Sequence, residues 1–306
     1  MLELTGPLPN DHADTAVVIG KFDAIHLGHQ QLLHELVEIS EEAGLAAAVI
    51  TFDRHPNHIL RPEAVRLPIT GPTQRRSLLR NLGVDVLQTL HFDESLANLS
   101  PEEFIREYVS PLRARIVIVG QGFRFGKSGT GTIETLRELG VRYGFQAREI
   151  PNVEVNGGKI STSAIRSLLD QGKVEAANLL LGRNHSTMGE VEHGRKLGRT
   201  LGYPTANLAR SSEGYLPADG VYAGYLISDG IRYPAAHSVG TNDSIEAVPR
   251  LLESHVIGRD DLDLYGKTVV CEYVAQVRGW AKFETIEQLT AQIASDVEKA
   301  KELLTD

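Results

Sequence analysis

At 306 residues, 42% hydrophobic and 23% charged, the chain has room for about two domains and is neither disordered nor fibrous. Its net charge of −9 argues against a nucleic-acid partner, but leaves open a local anion site of backbone amides and a few cations. A single cysteine, Cys271, excludes an internal disulfide framework and a thiolate zinc site.

The N-terminal stretch has no basic region followed by an apolar core, and no apolar run nears the ~20 residues of a membrane span. A cytoplasmic protein without membrane attachment is expected. Residues 15–20 (TAVVIG) read as a strand and 29–44 as a helix, with Leu32, Leu33, Leu36 and Val37 on one face and Gly44 as its stop. Strand 45–52, helix 73–83 and strand 84–92 follow. The spacing then predicts a helix over 100–109, with Ser100 as N-cap, Pro101 at its first position and Glu103 completing a capping box. Strand 114–120, a helix through 133–140 and strand 145–150 complete an alternation that predicts βαβ units and a mostly parallel sheet. Ligands on such sheets sit at the carboxyl ends of strands, where the motif GKFDAIHLGH (20–29) falls. Residues 163–182 read as two short helices broken near Gly172. After Gly182 come short strand-like runs separated by Gly, Pro, Asn and Asp, suggesting an antiparallel barrel or sandwich, and then a final helix over 285–304 opened by Thr285 and Gln288 as a capping box. The domains are therefore expected to be 1–182 and 183–306.

Five stretches carry chemistry. His26 and His29 could belong to a metal site with His55 and His58, could be ordinary loop and helix-start residues, or could form a phosphate site. In the last reading Gly28 lets the backbone approach the ligand, and the helix from about His29 aims its N–H groups at it. Residues 120–132 (GQGFRFGKSGTGT) fail as a Walker A loop, because Lys127 would need glycine where Gln121 stands. They read as a flexible loop whose Phe123 and Phe125 pack either on a flat ligand or into the core. Ser161, Thr162 and Ser163 precede a helix carrying Arg166, which is either plain capping or a second anion contact. In YPTANL, Pro204 fixes the backbone while Thr205 and Asn207 alternate, presenting two oxygen ligands to a hard ion such as Mg²⁺ unless the segment is a turn. Glu253, inside the apolar run RLLESHVI, is either solvent-facing or a general base.

Taken together the motifs resemble the prokaryotic bifunctional riboflavin kinase/FMN adenylyltransferase family over nearly the whole chain. GKFDAIHLGHQQLL is similar to G-x-F-D-G-x-H-x-G-H-x-x-L, TFDRHP to T-F-D-P-H-P, VGQGFRFG to V-G-x-[DN]-F-x-F-G and ISTSAIR to I-S-S-T-x-I-R. GEVEHGRKLGRTLGYPTANL matches the kinase pattern G-x-V-x-x-G-x-x-x-G-R-x-L-G-[FY]-P-T-A-N-L at every fixed position. The resemblance implies an α/β nucleotidyltransferase domain with a Rossmann-like parallel sheet, followed by an antiparallel β-barrel riboflavin kinase domain with a C-terminal helix. It implies that Thr205 and Asn207 hold Mg²⁺ with the ATP phosphates and that Glu253 deprotonates the ribityl hydroxyl of riboflavin. His26 and His29 would stabilise the ATP α-phosphate while FMN attacks to give FAD and pyrophosphate. Gly20, Phe22, Asp23, Gly28, Ser161, Thr162, Arg166, Gly198 and Pro204 fall to the nucleotide, and Phe123, Phe125, Asp53 and His55 to the flavin. The partners so implied are riboflavin, FMN, FAD and ATP, for a monomer or weak homo-oligomer. Ala24, Arg54 and Gly122 depart from the adenylyltransferase motifs, and GTNDSI stands in place of G-T-N-P-T-F in the kinase half. The alternative is a riboflavin kinase whose N-terminal half only binds nucleotide or flavin.

Overall fold

The apolar runs of the first half send alternate residues to opposite faces of a parallel sheet, and helices cover both faces. In the computed structural model, which describes residues 1–54, 67–155, 158–194, 201–241 and 250–305, the chain packs into two units. One comprises Met1–Pro68 with Arg75–Ile160, the other Ile69–Gln74 with Ser161–Asp306.

The first unit holds β1 (Leu2–Leu4), β2 (Thr15–Ile19), β3 (Ala46–Phe52), β4 (Val86–Leu90), β5 (Ala114–Gly120) and β6 (Gln146–Ile150), all parallel in the order β1-β4-β3-β2-β5-β6. Val17, Ile19, Ala48 and Ile50 join one hydrophobic cluster, while their neighbours Ala16, Val18, Ala47 and Val49 join the other. Helix α1 (Leu27–Ala43) and Leu79 of α2 (Pro72–Asn81) close the second face. The short α3 (Glu94–Asn98), α4 (Pro101–Phe104) and α5 (Ile133–Tyr143) close the first. Strands covered on both faces need no polar alternation, which is why they read as unbroken apolar runs. The chain leaves β2 toward β3 on one side and resumes at β5 on the other. The topological switch point, where such sheets bind ligands, therefore lies at the carboxyl ends of β2 and β5.

Two boundaries differ from expectation. Helix α1 begins at Leu27 rather than near His29, because His26 is its N-cap. The Ser100 capping box forms as expected, with Glu103 N–H on Ser100 Oγ at 3.2 Å and Ser100 N–H on Glu103 Oε2 at 2.8 Å. The helix nevertheless keeps α geometry only through Phe104 and passes into a π-turn over Ile105–Val109, since Pro111 lacks the N–H that would extend the ladder. The stretch 120–132 is closed on itself by paired backbone bonds between Phe125 and Gly131 at 3.2 and 2.9 Å. The strands β1, β7 (Glu154–Val155) and β8 (Gly158–Lys159) are too short to leave a sequence signal.

In the second unit α6 (Thr162–Asp170) and α7 (Val174–Leu181) precede a six-stranded antiparallel structure, and the break between the helices falls at Gly172 as expected. Its strands are β9 (His185–Glu192), β10 (Ala206–Leu208), β11 (Gly220–Ser228), β12 (Ile231–Gly240), β13 (Leu251–Val256) and β14 (Thr268–Gly279). They close in the order β10-β13-β12-β11-β14-β9, a barrel rather than a sandwich. Helix α8 (Ile286–Leu303) lays Val297 and Ala300 on Val221, Ala223, Ala236 and Val277 of the outer wall. Arg278 and the buried Asp296 pin it there through bonds of 2.9–3.0 Å. Inside the barrel, the buried His237 and Ser254 are paired. His237 Nε2 faces the Glu272 carbonyl at 3.0 Å and must donate, so its Nδ1, 3.0 Å from Ser254 Oγ, accepts.

Candidate active site

The first site is built where β2 ends. Gly20 N–H still bonds to Ile50 O on β3 at 3.1 Å, and Thr51 Oγ1 holds the Lys21 carbonyl at 3.1 Å, so the chain turns away from the sheet under control of its neighbour. Phe22 and Ile25 are buried with φ of 46° and 44°, a region costly to residues with a Cβ. Such strain persists only where surrounding packing enforces it, and it clusters at ligand-binding turns. The turn ends on His26, whose Nδ1 accepts the His29 N–H at 3.2 Å. A backbone N–H can only donate, so the His26 proton sits on Nε2. The two imidazoles stack with centroids 3.8 Å apart and planes 11° from parallel, and the edge of His29 meets the Phe22 ring at 5.2 Å. Gly28 allows this: a Cβ there would lie 3.2 Å from the His26 ring. Gly20, Phe22, Gly28, His26 and His29 are thus gathered in one turn, with Asp23 partly exposed beside them. Ala24 is buried and is not in the left-handed region, so its methyl costs the backbone nothing.

Along the same sheet edge, Asp53 follows β3. Partial burial works against its ionisation, yet its pKa is held below the ordinary carboxylate value by the Phe92 N–H at 3.0 Å and by His91 at 2.6 Å. Past β5, Phe125 is buried against Phe104, and the half-buried Phe123 stacks on it at 5.7 Å and 15°. His55, and with it His58 of the zinc alternative, lies outside the described residues. Among the described residues no three His, Cys, Asp or Glu side chains are arranged to hold a metal.

Ser161, Thr162 and Arg166 belong to the second unit. Ser161 is the N-cap of α6, accepting the Ala164 N–H at 3.2 Å, and the Arg166 guanidinium lies over the Tyr215 ring at 5.1 Å.

The second site is on the barrel's outer wall. Ala206 and Leu208 are buried while Thr205 and Asn207 face outward, the alternation expected of an extended segment. Asn207 pairs across the ladder with Glu253, which stands on β13 between the inward Leu252 and Ser254. Thr205 Oγ1 donates to Glu253 Oε2 at 3.3 Å. Hydroxyl, carboxamide and carboxylate therefore converge from two strands, and this oxygen-only set suits a hard divalent cation. Pro204 is positioned by His255, whose Nδ1–H donates to its carbonyl at 2.8 Å. Sequence reasoning passed over His255, although its spacing of two from Glu253 on a strand puts both on one face. An open groove adjoins the site, lined by Val191, Pro204, Thr205, Leu262, Leu264 and Tyr265, with Arg259 and Asp260 among its other lining residues. Gly198 and residues 242–245 of the altered GTNDSI loop lie outside the described residues.

Comparisons with known proteins agree with this division. The FAD synthetase family model matches residues 8–164 and the riboflavin kinase model residues 181–304. The chain is 34% identical over 297 residues to the bifunctional riboflavin kinase/FMN adenylyltransferase of Bacillus subtilis, covering 96% of this chain and 93% of that one. It is 31% identical over 288 residues to the protein so named in Escherichia coli K12, with 94% and 91% covered. A crystal structure from Streptococcus pneumoniae, described as a macrolide-efflux protein, superposes with a TM-score of 0.87 at 32% identity over 98% of both chains. Among the described residues of this chain no helix is long and apolar enough to cross a membrane. The catalytic-looking turn at the sheet's switch point, the oxygen cluster on the barrel and these full-length matches lead to one conclusion: the chain belongs to the bifunctional riboflavin kinase/FMN adenylyltransferase family.

Proposed function

We propose that the chain makes FMN on the barrel and FAD at the parallel sheet, with different residues carrying each step. The enzyme phosphorylates riboflavin with ATP and adenylylates FMN with release of pyrophosphate. The alternative, a kinase with a merely binding N-terminal half, is not favoured, since both family models match and the full length aligns. The observation that carries the kinase assignment is the Thr205–Glu253 contact at 3.3 Å beside Asn207. Thr205 and Asn207 would hold Mg²⁺, which would neutralise the transferring phosphoryl oxygens when bound. Glu253 takes the proton of the ribityl hydroxyl, which then attacks the γ-phosphorus while ADP leaves. Pro204, Gly198 and the open groove would seat the adenosine.

At the other site the His26 Nε2–H and His29 donate to the α-phosphate oxygens, where charge grows during in-line attack by the FMN phosphate. Gly20, Phe22, Asp23 and Gly28 shape that turn for the nucleotide, and the resemblance assigns Ser161, Thr162 and Arg166 to nucleotide binding as well. Phe123, Asp53 and His55 serve the flavin, with Phe125, buried against Phe104, backing Phe123 from the core. Functionally we place the boundary near residue 182, although α6 and α7 pack with the barrel. A cytoplasmic monomer or weak homo-oligomer, with no nucleic-acid partner, completes the proposal.

The test is a pair of substitutions assayed by flavin chromatography. Glu253→Gln removes the base and is expected to lower FMN formation at least 100-fold, the usual scale for general-base loss, while FAD formation from supplied FMN continues. His29→Ala is expected to do the reverse. Loss of both activities in either variant would overturn the separation.

A further inference from the structure

Arg54 and His91 sit on the same carboxyl edge of the sheet as the histidine turn, after β3 and β4, and the mechanism above gives neither a task. Arg54 NH2 lies 3.1 Å from His91 Nε2 and 3.2 Å from its Nδ1. A donor in the ring plane reaches one imidazole nitrogen, not both, so near-equal distances place the NH2 group over the ring face. Nδ1 is meanwhile bonded in plane to Asp53 Oδ2 at 2.6 Å. Asp53 Oδ1 takes the Phe92 N–H at 3.0 Å, and Arg54 Nε stands off it at 3.6 Å. The carboxylate is therefore occupied in anchoring, and it holds His91, with the Arg54 NH2 group against its ring, in a fixed orientation. Both members remain open to solvent, with side-chain exposures of 39% for Arg54 and 60% for His91.

Neighbouring strands are about 4.8 Å apart. With the order β4-β3-β2, the pair begins one and two strand spacings from the end of β2, on the side away from β5. In-line displacement requires the entering and leaving oxygens on opposite sides of the α-phosphorus. Entry also brings an FMN phosphate dianion against an already anionic centre, which a nearby fixed cation relieves. A guanidinium steadied against the imidazole through NH2 keeps its other N–H groups for the phosphate monoester.

We propose that Arg54, steadied by His91 and its anchor Asp53, receives the 5′-phosphate of FMN in the adenylyltransferase reaction and so selects phosphorylated flavin over riboflavin. This rests on the reading of His26 and His29 as the α-phosphate clamp.

The test measures FAD formation from FMN and ATP in the full chain, with Arg54→Gln and Arg54→Lys. Arg54→Gln is expected to raise KM for FMN about 10-fold or more while leaving KM for ATP and the kinase activity unchanged, as one lost charge-assisted phosphate contact implies. Arg54→Lys should recover part of the loss. His91→Gln should give a smaller rise in the same parameter, because it removes the platform and not the contact. An unchanged KM for FMN in Arg54→Gln, or a rise confined to ATP or to inhibition by pyrophosphate, would overturn the proposal. If His26→Gln, His29→Ala and Arg54→Gln all leave FAD formation intact, the site reading itself fails; if only Arg54→Gln is silent, the failure is of this inference alone.

Discussion

His26 has two tasks that usually fall to different residues. Its Nδ1 closes the first turn of α1 by accepting the His29 N–H, and this fixes the proton on Nε2, the donor that the proposed phosphate clamp uses. Histidine is a poor N-cap by preference, where Ser, Thr, Asp and Asn lead, so a reading that looks for ordinary caps starts the helix too late. Gly122 is the residue whose departure from the family pattern has the clearest physical setting. Its φ is +77°, its N–H bonds to Glu149 at 3.1 Å, and a Cβ there would meet nothing within 4 Å. Asparagine tolerates this backbone better than other residues with a Cβ. We therefore expect Gly122→Asn to fold with a thermal midpoint within a few degrees of the parent. It should restore a polar contact to the flavin and lower KM for FMN several-fold, measured by initial rates of FAD formation. A rise in that KM would show that the bare glycine is itself required.

At the scale of elements, most of what was legible came from periodicity and local capping. The alternating strands and helices, the Ser100 capping box, the break at Gly172 and the outward Thr205–Asn207 pair all follow from interactions within a few residues. What was not legible depends on partners far away in sequence. The clearest case is the segment Ile69–Gln74, which lies in the first half of the chain but packs in the second unit. Glu213 caps α2 there, accepting the Thr73 N–H at 2.8 Å, the Thr73 hydroxyl at 2.8 Å and the Gln74 N–H at 3.3 Å. Gln74 in turn donates to the Ser186 carbonyl at 3.1 Å. No local pattern announces a carboxylate 140 residues downstream as a helix cap. Removing it in Glu213→Ala is expected to lower the stability of the chain by about 1–2 kcal/mol, the usual cost of a lost cap, read as a shift in the urea midpoint. An unchanged midpoint would mean that water replaces the carboxylate without loss. The Asp53–His91–Arg54 arrangement was hidden for the same reason, since its members come from the ends of two strands nearly forty residues apart.

Across the whole molecule, the barrel interior gives the chain a particular pH response. His237 is fully enclosed and burial pushes its pKa down to about 4; His185, whose Nε2–H donates to the Tyr215 carbonyl at 2.6 Å, is likewise pushed to about 4 by burial. Both are neutral in the folded barrel but bind a proton near pH 6.5 when unfolded. The unfolded chain therefore takes up more protons below that value, so the stability these groups contribute is complete above pH 6.5 and is lost as pH falls toward 4. Between pH 7 and 5 the loss is on the order of 2 kcal/mol for each histidine, measurable as a fall in unfolding free energy in urea. A profile flat over that interval would contradict the burial. The parallel sheet and the barrel serve two phosphorus transfers in sequence, the product of one being the substrate of the other. The most direct measurement is chromatography of the flavins formed when the purified chain is incubated with riboflavin, ATP and Mg²⁺. The account requires FMN to appear first, followed by FAD with one pyrophosphate per FAD. FMN accumulating without FAD, even when FMN and ATP are supplied directly, would contradict it.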